Sequence, residues 1–230
     1  MNWSWTFFFD YLTNGLMLQG AWTTIWLSVV SMTLGLGLGV IAAMMKMYGN
    51  RPLRWFAEFY IWLFRGTPVL ILLIIIYTGL PQIGIRLNVI ESAILGLAIN
   101  EGAYLAEVIR AGIMSVDKGQ NDAARSVGMT WRERMWLVIL PQATRTIIPP
   151  LGNQFNGMLK TTSLASVISM EELMRTAQML AQIEFRVLEA YVVAAVWYLI
   201  LVSIWGLIQV RIEAHYEKPF GPAAAVSKAA

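Results

Sequence analysis

A chain of 230 residues that is 57% hydrophobic and only 13% charged is not composed like a soluble domain, in which about 25% of residues are charged. A lipid bilayer is the solvent that such a chain needs, and the net charge of +3 is expected in cytoplasmic loops and not on a nucleic-acid surface. The sequence has no cysteine and one histidine, which excludes disulfides and thiol chemistry and disfavours a histidine metal centre.

The hydrophobic pattern predicts an all-α fold, a multi-pass transmembrane bundle of about five spans that forms one domain over residues 1–230. The predicted spans cover residues 20–45, 55–78, 89–113, 143–168 and 190–210. The second is interrupted by Arg65-Gly66-Thr67-Pro68, and the third and fourth carry polar side chains. Residues 170–188 have the pattern of an amphipathic surface helix.

Basic residues are distributed unevenly between the predicted loops. Twelve of the seventeen Lys and Arg residues fall within residues 46–54, 110–145 and 211–228. The opposite loops hold only Arg86, Arg175 and Arg186. Because basic loops stay on the cytoplasmic side, we expect the N-terminus outside and the C-terminus in the cytoplasm.

The polar segment 115–141 is expected to be a cytoplasmic helix-turn-helix. Gly128 can adopt the left-handed conformation that ends a helix over residues 118–127. Thr130 and Glu133 have the spacing of a capping box that starts the next helix, and Pro141 is expected to close or kink that helix. Such a hairpin is stiff enough to transmit force.

The same segment resembles the EAA loop of binding-protein-dependent ABC importers. The family pattern is Glu-Ala-Ala, three residues, Gly, nine residues, Ile, any residue and Leu-Pro. The matching positions are Asp122, Ala123, Ala124, Gly128, Val138, Leu140 and Pro141. Asp122 stands in place of Glu and Val138 in place of Ile, and the shorter Asp122 side chain alters any contact made there. The resemblance implies that this loop, within residues 115–141, couples the chain to an ATPase.

Further motifs resemble the branch of these importers that carries polar amino acids. They are Phe64-Arg65-Gly66-Thr67-Pro68, Gly102-Ala103-Tyr104-Leu105-Ala106-Glu107, Arg110-Ala111-Gly112-Ile113, Gly119-Gln120, Pro141-Gln142-Ala143 and Lys160-Thr161-Thr162-Ser163-Leu164. The resemblance covers a core of about residues 15–215. It implies a type I ABC importer permease fold in a bacterial inner membrane.

The resemblance also implies a set of partners. A second permease subunit, identical or homologous, two ATPase subunits and a periplasmic substrate-binding protein are expected, with membrane lipid around the bundle. The chain lacks a phosphate loop ending in Gly-Lys-Ser/Thr, so we expect no enzyme activity and no cofactor in this chain, with ATP and Mg²⁺ on the partner ATPase. The run Gly35-x-Gly37-x-Gly39 is interpreted as a helix-packing surface and not as a nucleotide site.

An ionised side chain at the centre of a membrane-spanning helix raises the free energy of insertion by about 2.5–3.5 kcal/mol. Such side chains are therefore usually functional. The candidate substrate-pathway residues are Asn100, Glu101, Tyr104, Lys160 and Thr161. Lys160 could pair with a substrate carboxylate and Glu101 with an ammonium or other cation. The alternative is an ion pair between Glu101 and Lys160 that joins the third span to the fourth.

Three further residues, Arg65, Pro68 and Glu107, are expected to act in gating or structure. Arg65 could reach the cytoplasmic interface or pair with Glu58 or Glu107. Pro68 removes a backbone donor, which is tolerated where a cavity or a neighbouring helix satisfies the freed carbonyl.

The favoured function is therefore the permease subunit of an ATP-driven importer for arginine, histidine, glutamine or an opine. A permease of the same type for glutamate or aspartate is the alternative. An ion-coupled secondary transporter would usually need more spans and inverted repeats, and a membrane scaffold would leave Glu101 and Lys160 unexplained.

Overall fold

Within residues 3–216, the part of the chain that the computed structural model describes, all regular secondary structure is helical. The α-helices are α1 (Trp5–Leu12), α2 (Gly15–Tyr48), α3 (Arg51–Gly66), α4 (Val69–Ile74), α5 (Val89–Met114), α6 (Lys118–Ser126), α7 (Trp131–Glu133), α8 (Leu140–Thr161), α9 (Leu173–Glu184) and α10 (Val187–Tyr216). Ile75–Gly79 and Arg134–Ile139 are π-helical, and Leu80–Ile83 and Thr162–Ile168 are 3₁₀-helical. The all-α prediction is confirmed.

Three helices, α2, α5 and α10, are each long and apolar enough to cross a membrane. Helix α3 and the helical run Val69–Ile83 qualify together as a fourth span, bent by 102°. The bend lies at Thr67 and Pro68, where the sequence predicts an interruption. Pro68 disfavours helical geometry at the residue before it, and Thr67 is extended, with φ −102° and ψ 129°.

The fifth predicted span, residues 143–168, corresponds to α8 and the 3₁₀ turn after it. Helix α8 is not among the helices that meet the same test of length and hydropathy, because it carries Arg145, Asn153, Gln154 and Lys160. It nevertheless packs against α2, α5 and α10. The count of five spans therefore stays a prediction, whereas the polar character of α8 suits a helix that faces a pathway.

Helices α2 and α5 pack together more extensively than any other pair of described helices does, and glycines allow the two backbones to approach closely. A Cβ built on Gly39 of α2 would lie 2.8 Å from the Leu105 Cβ of α5, and one on Gly102 of α5 would lie 2.8 Å from the Leu38 Cβ of α2. A Cβ on Gly37 meets nothing within 4 Å. The packing interpretation of the glycine run is therefore supported at Gly39, and Gly37 faces away.

The segment predicted as an amphipathic surface helix is more buried than expected. Helix α9 packs against α2 and α10, and Glu172 just before it is fully buried. The Glu172 carboxylate accepts hydrogen bonds from the backbone N–H groups of Met174 and Arg175, at 3.0 and 2.8 Å, and from the Tyr198 hydroxyl at 2.7 Å. A buried N-cap thus ties α9 to α10, which the polarity of the segment alone does not reveal.

Candidate functional site

The break between α3 and α4 is held by side chains from α5. The last carbonyls of a helix lack partners within the helix, and here three of them find side chains instead. The Thr67 hydroxyl donates to the Leu63 carbonyl at 2.8 Å, and the Asn100 amide donates to the Phe64 carbonyl at 2.7 Å. The Tyr104 hydroxyl lies 3.5 Å from the Arg65 carbonyl. Asn100 and Tyr104 therefore stabilise the bend as well as facing the space beside it.

That space is a cleft of about 450 Å³ between the break, α5 and α8, called here the upper cleft. It brings together four of the five predicted pathway residues, with the two predicted gating residues of the break beside them. These six lining residues are Asn100, Glu101, Tyr104, Thr161, Arg65 and Pro68. Residues from three distant parts of the sequence thus converge on one polar recess in the bundle.

Glu101 is the most buried charged group of the upper cleft. It is 8% exposed, and its Oε1 atom has no hydrogen-bond partner among the described residues. The Gln154 side chain hydrogen-bonds the Glu101 carboxylate but leaves this oxygen unsatisfied and brings no charge, so the buried Glu101 is suited to receive a cationic group from a ligand. Gln154 lines the same cleft. The sequence analysis missed it, although Gln154, Gly157, Met158 and Thr161 have helical spacing and so share one face of α8.

Lys160 is not brought together with the other pathway residues. Its side chain is exposed and lines a separate, mainly apolar recess of about 520 Å³ with Ala195 and Leu199 of α10. Lys160 and Glu101 form no salt bridge. The reason is geometric, since consecutive residues of an α-helix point about 100° apart, so that Thr161 faces the upper cleft and Lys160 faces α10.

Arg65 makes neither of the predicted ion pairs. Glu107 is bound instead by Lys46 at 2.7 Å and by Arg110 at 2.8 Å. The Arg65 guanidinium carbon lies 5.3 Å from the centre of the Tyr104 ring, a distance at which a cation is attracted to an aromatic face. Glu107 therefore has a structural place on α5, and Arg65 stays available to the cleft.

A second cleft of about 350 Å³ lies further along α5 and α8, toward the loop between them. This lower cleft is lined by Glu107, Ala111, Thr146 and Pro150, among others. Arg65, Tyr104 and Gln154 line both clefts. The two spaces therefore meet at these three side chains.

The loop between α5 and α8 forms the predicted hairpin. Gly128 has φ +84°, the Gly128 N–H donates to the Arg125 carbonyl at 3.0 Å, and the Met129 N–H donates to the Ala124 carbonyl at 3.2 Å. This is the Schellman arrangement that ends helices at glycine. Helix α6 then packs back on the π turn Arg134–Ile139.

The second arm of the hairpin starts at the predicted capping box. The Glu133 N–H donates to the Thr130 hydroxyl at 3.3 Å, and the Thr130 N–H donates to the Glu133 carboxylate at 2.8 Å. Hydrogen bonds from the Thr130 backbone and hydroxyl hold the pKa of Glu133 below its usual value. Both local signals read from the sequence are confirmed.

Of the two outcomes predicted for Pro141, closing or kinking the second arm, the structure does not show closure, and the helix widens into a π turn just before this residue. The chain stays helical from Trp131 through Thr161, and Pro141 lies in the first turn of α8. Proline cannot donate to the carbonyl four residues earlier, at Leu137, and the wider π turn Arg134–Ile139 precedes it. The hairpin is thus joined directly to α8, which lines both clefts.

The predicted coupling residues divide into exposed and structural ones. Asp122 and Ala123 are exposed, whereas Ala124 is buried. The hairpin also exposes large apolar side chains that the sequence analysis did not single out. Val127 is 74% exposed and Leu137 is 67% exposed, and Trp136 is similarly open. An exposed apolar patch of this kind is typical of an interaction surface.

Comparison with known proteins gives consistent matches. Residues 35–218 match the family described as binding-protein-dependent transport system inner membrane component. The chain is 39% identical over 228 residues to the arginine transport system permease protein ArgU of Corynebacterium glutamicum, covering 93% of this chain and 72% of that protein. It is 40% identical over 200 residues to the L-cystine transport system permease protein TcyB of Bacillus subtilis, covering 86% of each.

A solved structure described as an amino acid ABC transporter with histidines superposes with a TM-score of 0.88 and 38% identity. The superposition covers 94% of this chain and all of that one.

Proposed function

We infer that this chain, which belongs to the family of binding-protein-dependent transport system inner membrane components, is the permease subunit through which an ATP-driven importer moves polar amino acids or their derivatives. Family membership makes the chain a membrane-spanning transport permease. Relatives that it matches over most of its length are named for arginine and for cystine, and both ligands are free amino acids.

The observation that carries the proposal is the pair of unmatched charges in the upper cleft. Glu101 is buried with a free carboxylate oxygen, and Arg65 lines the same cleft without a salt bridge to Glu58 or Glu107. A free amino acid brings one cation and one carboxylate, so it matches both groups, and its cation removes the cost of leaving the buried Glu101 carboxylate unpaired. Arg65 thus takes the carboxylate role first expected of Lys160.

The same charges favour cationic or zwitterionic amino acids. A second carboxylate on the substrate would repel Glu101 strongly in a water-poor cleft, whereas a guanidinium, an imidazolium or an amide would not. We therefore propose arginine, histidine or glutamine over glutamate or aspartate, and an opine, which has a second carboxylate of its own, is disfavoured by the same repulsion. The Asn100 carbonyl oxygen and the Thr161 hydroxyl oxygen offer neutral acceptors beside Glu101.

The partners follow from the same proposal. Two ATPase subunits, which hold ATP and Mg²⁺, dock on the hairpin at Asp122, Ala123 and the exposed apolar side chains, and a periplasmic binding protein delivers the substrate. An identical or homologous permease packs on the bundle. The exposed Lys160 supports a protein neighbour on that face, because an ammonium facing lipid tails is costly.

This arrangement places the hairpin in the cytoplasm and the N-terminus outside the inner membrane. The basic segments 46–54 and 110–145 support that orientation. Most of the third basic segment, 211–228, lies outside the described residues, as does the C-terminus itself.

The test is uptake by the complete transporter reconstituted in vesicles with its ATPase and binding protein. Radiolabelled arginine, glutamine and glutamate are offered with ATP inside, next to a matched preparation whose ATPase carries an inactivating substitution in its phosphate-binding lysine. We expect uptake of arginine or glutamine that depends on the active ATPase. Uptake that persists with the inactive ATPase and follows an ion gradient would identify a secondary transporter instead.

A further inference from the structure

We propose that Arg65 and Tyr104 form a gate between the two clefts, and that the carboxylate of the substrate opens it by drawing the Arg65 guanidinium off the Tyr104 ring. The proposal rests on the proposed function, because it takes an amino acid in the upper cleft as the trigger. It adds a second compartment to the pathway and a reason why that compartment stays closed without substrate.

The position of the pair makes it a partition. Arg65 and Tyr104 each line the upper cleft, which contains Glu101, and the lower cleft, which contains Glu107. Both side chains come from the point where α3 ends against α5. A solute that moves along α8 from the level of Thr161 to the level of Thr146 therefore moves past this pair and past Gln154 of α8, which also lines both clefts.

The contact that closes the gate is weak. The guanidinium carbon is 5.3 Å from the ring centre, and such contacts are weak where the cation is exposed, as Arg65 is. The Tyr104 hydroxyl lies at 3.5 Å from the Arg65 carbonyl, the limit of a hydrogen bond. The neighbouring Gly66 has nothing within 4 Å of a built Cβ, so the space around the end of α3 is open.

A carboxylate would compete well for Arg65. Bidentate hydrogen bonds between a guanidinium and a carboxylate are about twice as strong as neutral ones and strengthen where water is excluded. The native carboxylate beside the lower cleft does not compete, because Lys46 and Arg110 already bind Glu107. A substrate whose cation binds Glu101 thus presents its carboxylate to the free guanidinium.

The absence of cysteine in the sequence makes an accessibility experiment direct. Gly157→Cys reports on the upper cleft, where a Cβ at this position meets nothing within 4 Å. Ala111→Cys reports on the lower cleft, where Ala111 is exposed. Each is introduced into the complete transporter, in inverted membrane vesicles without ATP, and labelled with a membrane-impermeant maleimide from the hairpin side.

We expect the thiol of Gly157→Cys to react at least tenfold more slowly than that of Ala111→Cys. Saturating L-arginine should speed the Gly157→Cys reaction about tenfold, and agmatine, which has the guanidinium but no carboxylate, should not. Arg65→Ala should speed it to a similar extent without any ligand, while Arg65→Lys should keep a response to L-arginine. L-glutamine is tested in parallel as a second amino acid with the same carboxylate.

Unchanged labelling of Gly157→Cys in Arg65→Ala would overturn the gate. A second outcome would overturn the carboxylate trigger. In it, Arg65→Ala speeds the labelling of Gly157→Cys, but neither L-arginine nor L-glutamine speeds that labelling when Arg65 is unaltered. A failure of the proposed function is recognised separately, since it would show as absent amino-acid uptake in the reconstituted transporter. Recovery of each variant with its ATPase confirms that the bundle is intact.

Discussion

The hairpin between α5 and α8 and the upper cleft are built by different kinds of contact. In the hairpin, each feature depends on residues a few positions apart: Gly128 ends α6, and Thr130 with Glu133 starts the next helix. In the cleft, Asn100 donates to a carbonyl 36 residues away, and Arg65 lies against Tyr104. The hairpin is therefore a local structure attached to α8, whereas the cleft exists only when α3, α5 and α8 are packed together.

The largest effect on the upper cleft is expected from a substitution that lies outside it and separates α2 from α5. A side chain at Gly39 would meet the Leu105 Cβ at 2.8 Å and the Ala106 backbone N at 3.1 Å, so Gly39→Val should destabilise the bundle by about 3 kcal/mol. Gly37→Val, two residues away with open space, is the matched control. Thermal unfolding in detergent of the two variants checks the difference, and equal stability would contradict the packing described for α2 and α5.

A substitution in the hairpin should leave the packing of the bundle intact and impair binding to the ATPase instead. Gly128→Val places a β-branched residue at φ +84°, which costs about 2 kcal/mol of local strain. We expect loss of co-purification with the ATPase while the protein still inserts in the membrane. Gly206→Val, in open space on α10, serves as the control. Normal recovery of the complex from Gly128→Val would mean that the hairpin is not the coupling element.

The bend between α3 and α4 can be loosened in two graded steps. Asn100→Ala leaves the Phe64 carbonyl without its 2.7 Å donor and should cost about 1.5 kcal/mol. Tyr104→Phe removes only a 3.5 Å contact and should cost less than about 0.5 kcal/mol. Denaturation of both variants in detergent ranks them, and the reverse order would show that Asn100 does not hold the bend.

These differences explain how much could be read from the sequence. The helix ends at Gly128 and Thr130 were predicted because their chemistry is local, and the break at Pro68 was predicted for the same reason. The side to which the Lys160 side chain points, and the residue that Arg65 contacts, depend on how α3, α5, α8 and α10 pack together. Hydrophobic periodicity within one segment does not specify that packing. The burial of Glu172 beside α9 was missed for the same reason.

Four polar residues of α5 and α8 could be singled out from the sequence because ionisable and polar groups are rare within apolar spans, and the structure brings them together in the upper cleft; their contact with substrate stays a prediction. Their roles were less predictable. Asn100 and Tyr104 were expected to bind substrate, but both face the carbonyls of α3. Pro141 was expected to close or kink a helix, and the helix continues through it after a π turn.

A modest effect, confined to the hairpin, is expected at the start of its second arm. Thr130→Ala removes the hydroxyl that caps the Glu133 N–H and should weaken the hairpin by about 1 kcal/mol. Because the pKa of Glu133 is lowered in the folded protein, its contribution is present above the pKa of the unfolded state, about 4.3, and is lost as the pH falls through the lower folded value. Hydrogen exchange of the hairpin amides at pH 7 and in acid follows both effects. Identical exchange in Thr130→Ala and the unaltered protein at pH 7 would contradict the capping role.

The central claim is that the buried carboxylate of the upper cleft binds the cation of the substrate. It is tested most directly by the initial rate of L-arginine uptake in reconstituted vesicles, comparing Glu101→Gln with Glu58→Gln, which neutralises an exposed carboxylate on α3. Loss of a charge-assisted hydrogen bond costs about 1.5–3 kcal/mol, so uptake by Glu101→Gln should fall roughly tenfold to a hundredfold with assembly intact, while Glu58→Gln transports normally. Equal uptake by the two variants would show that Glu101 does not contact the substrate.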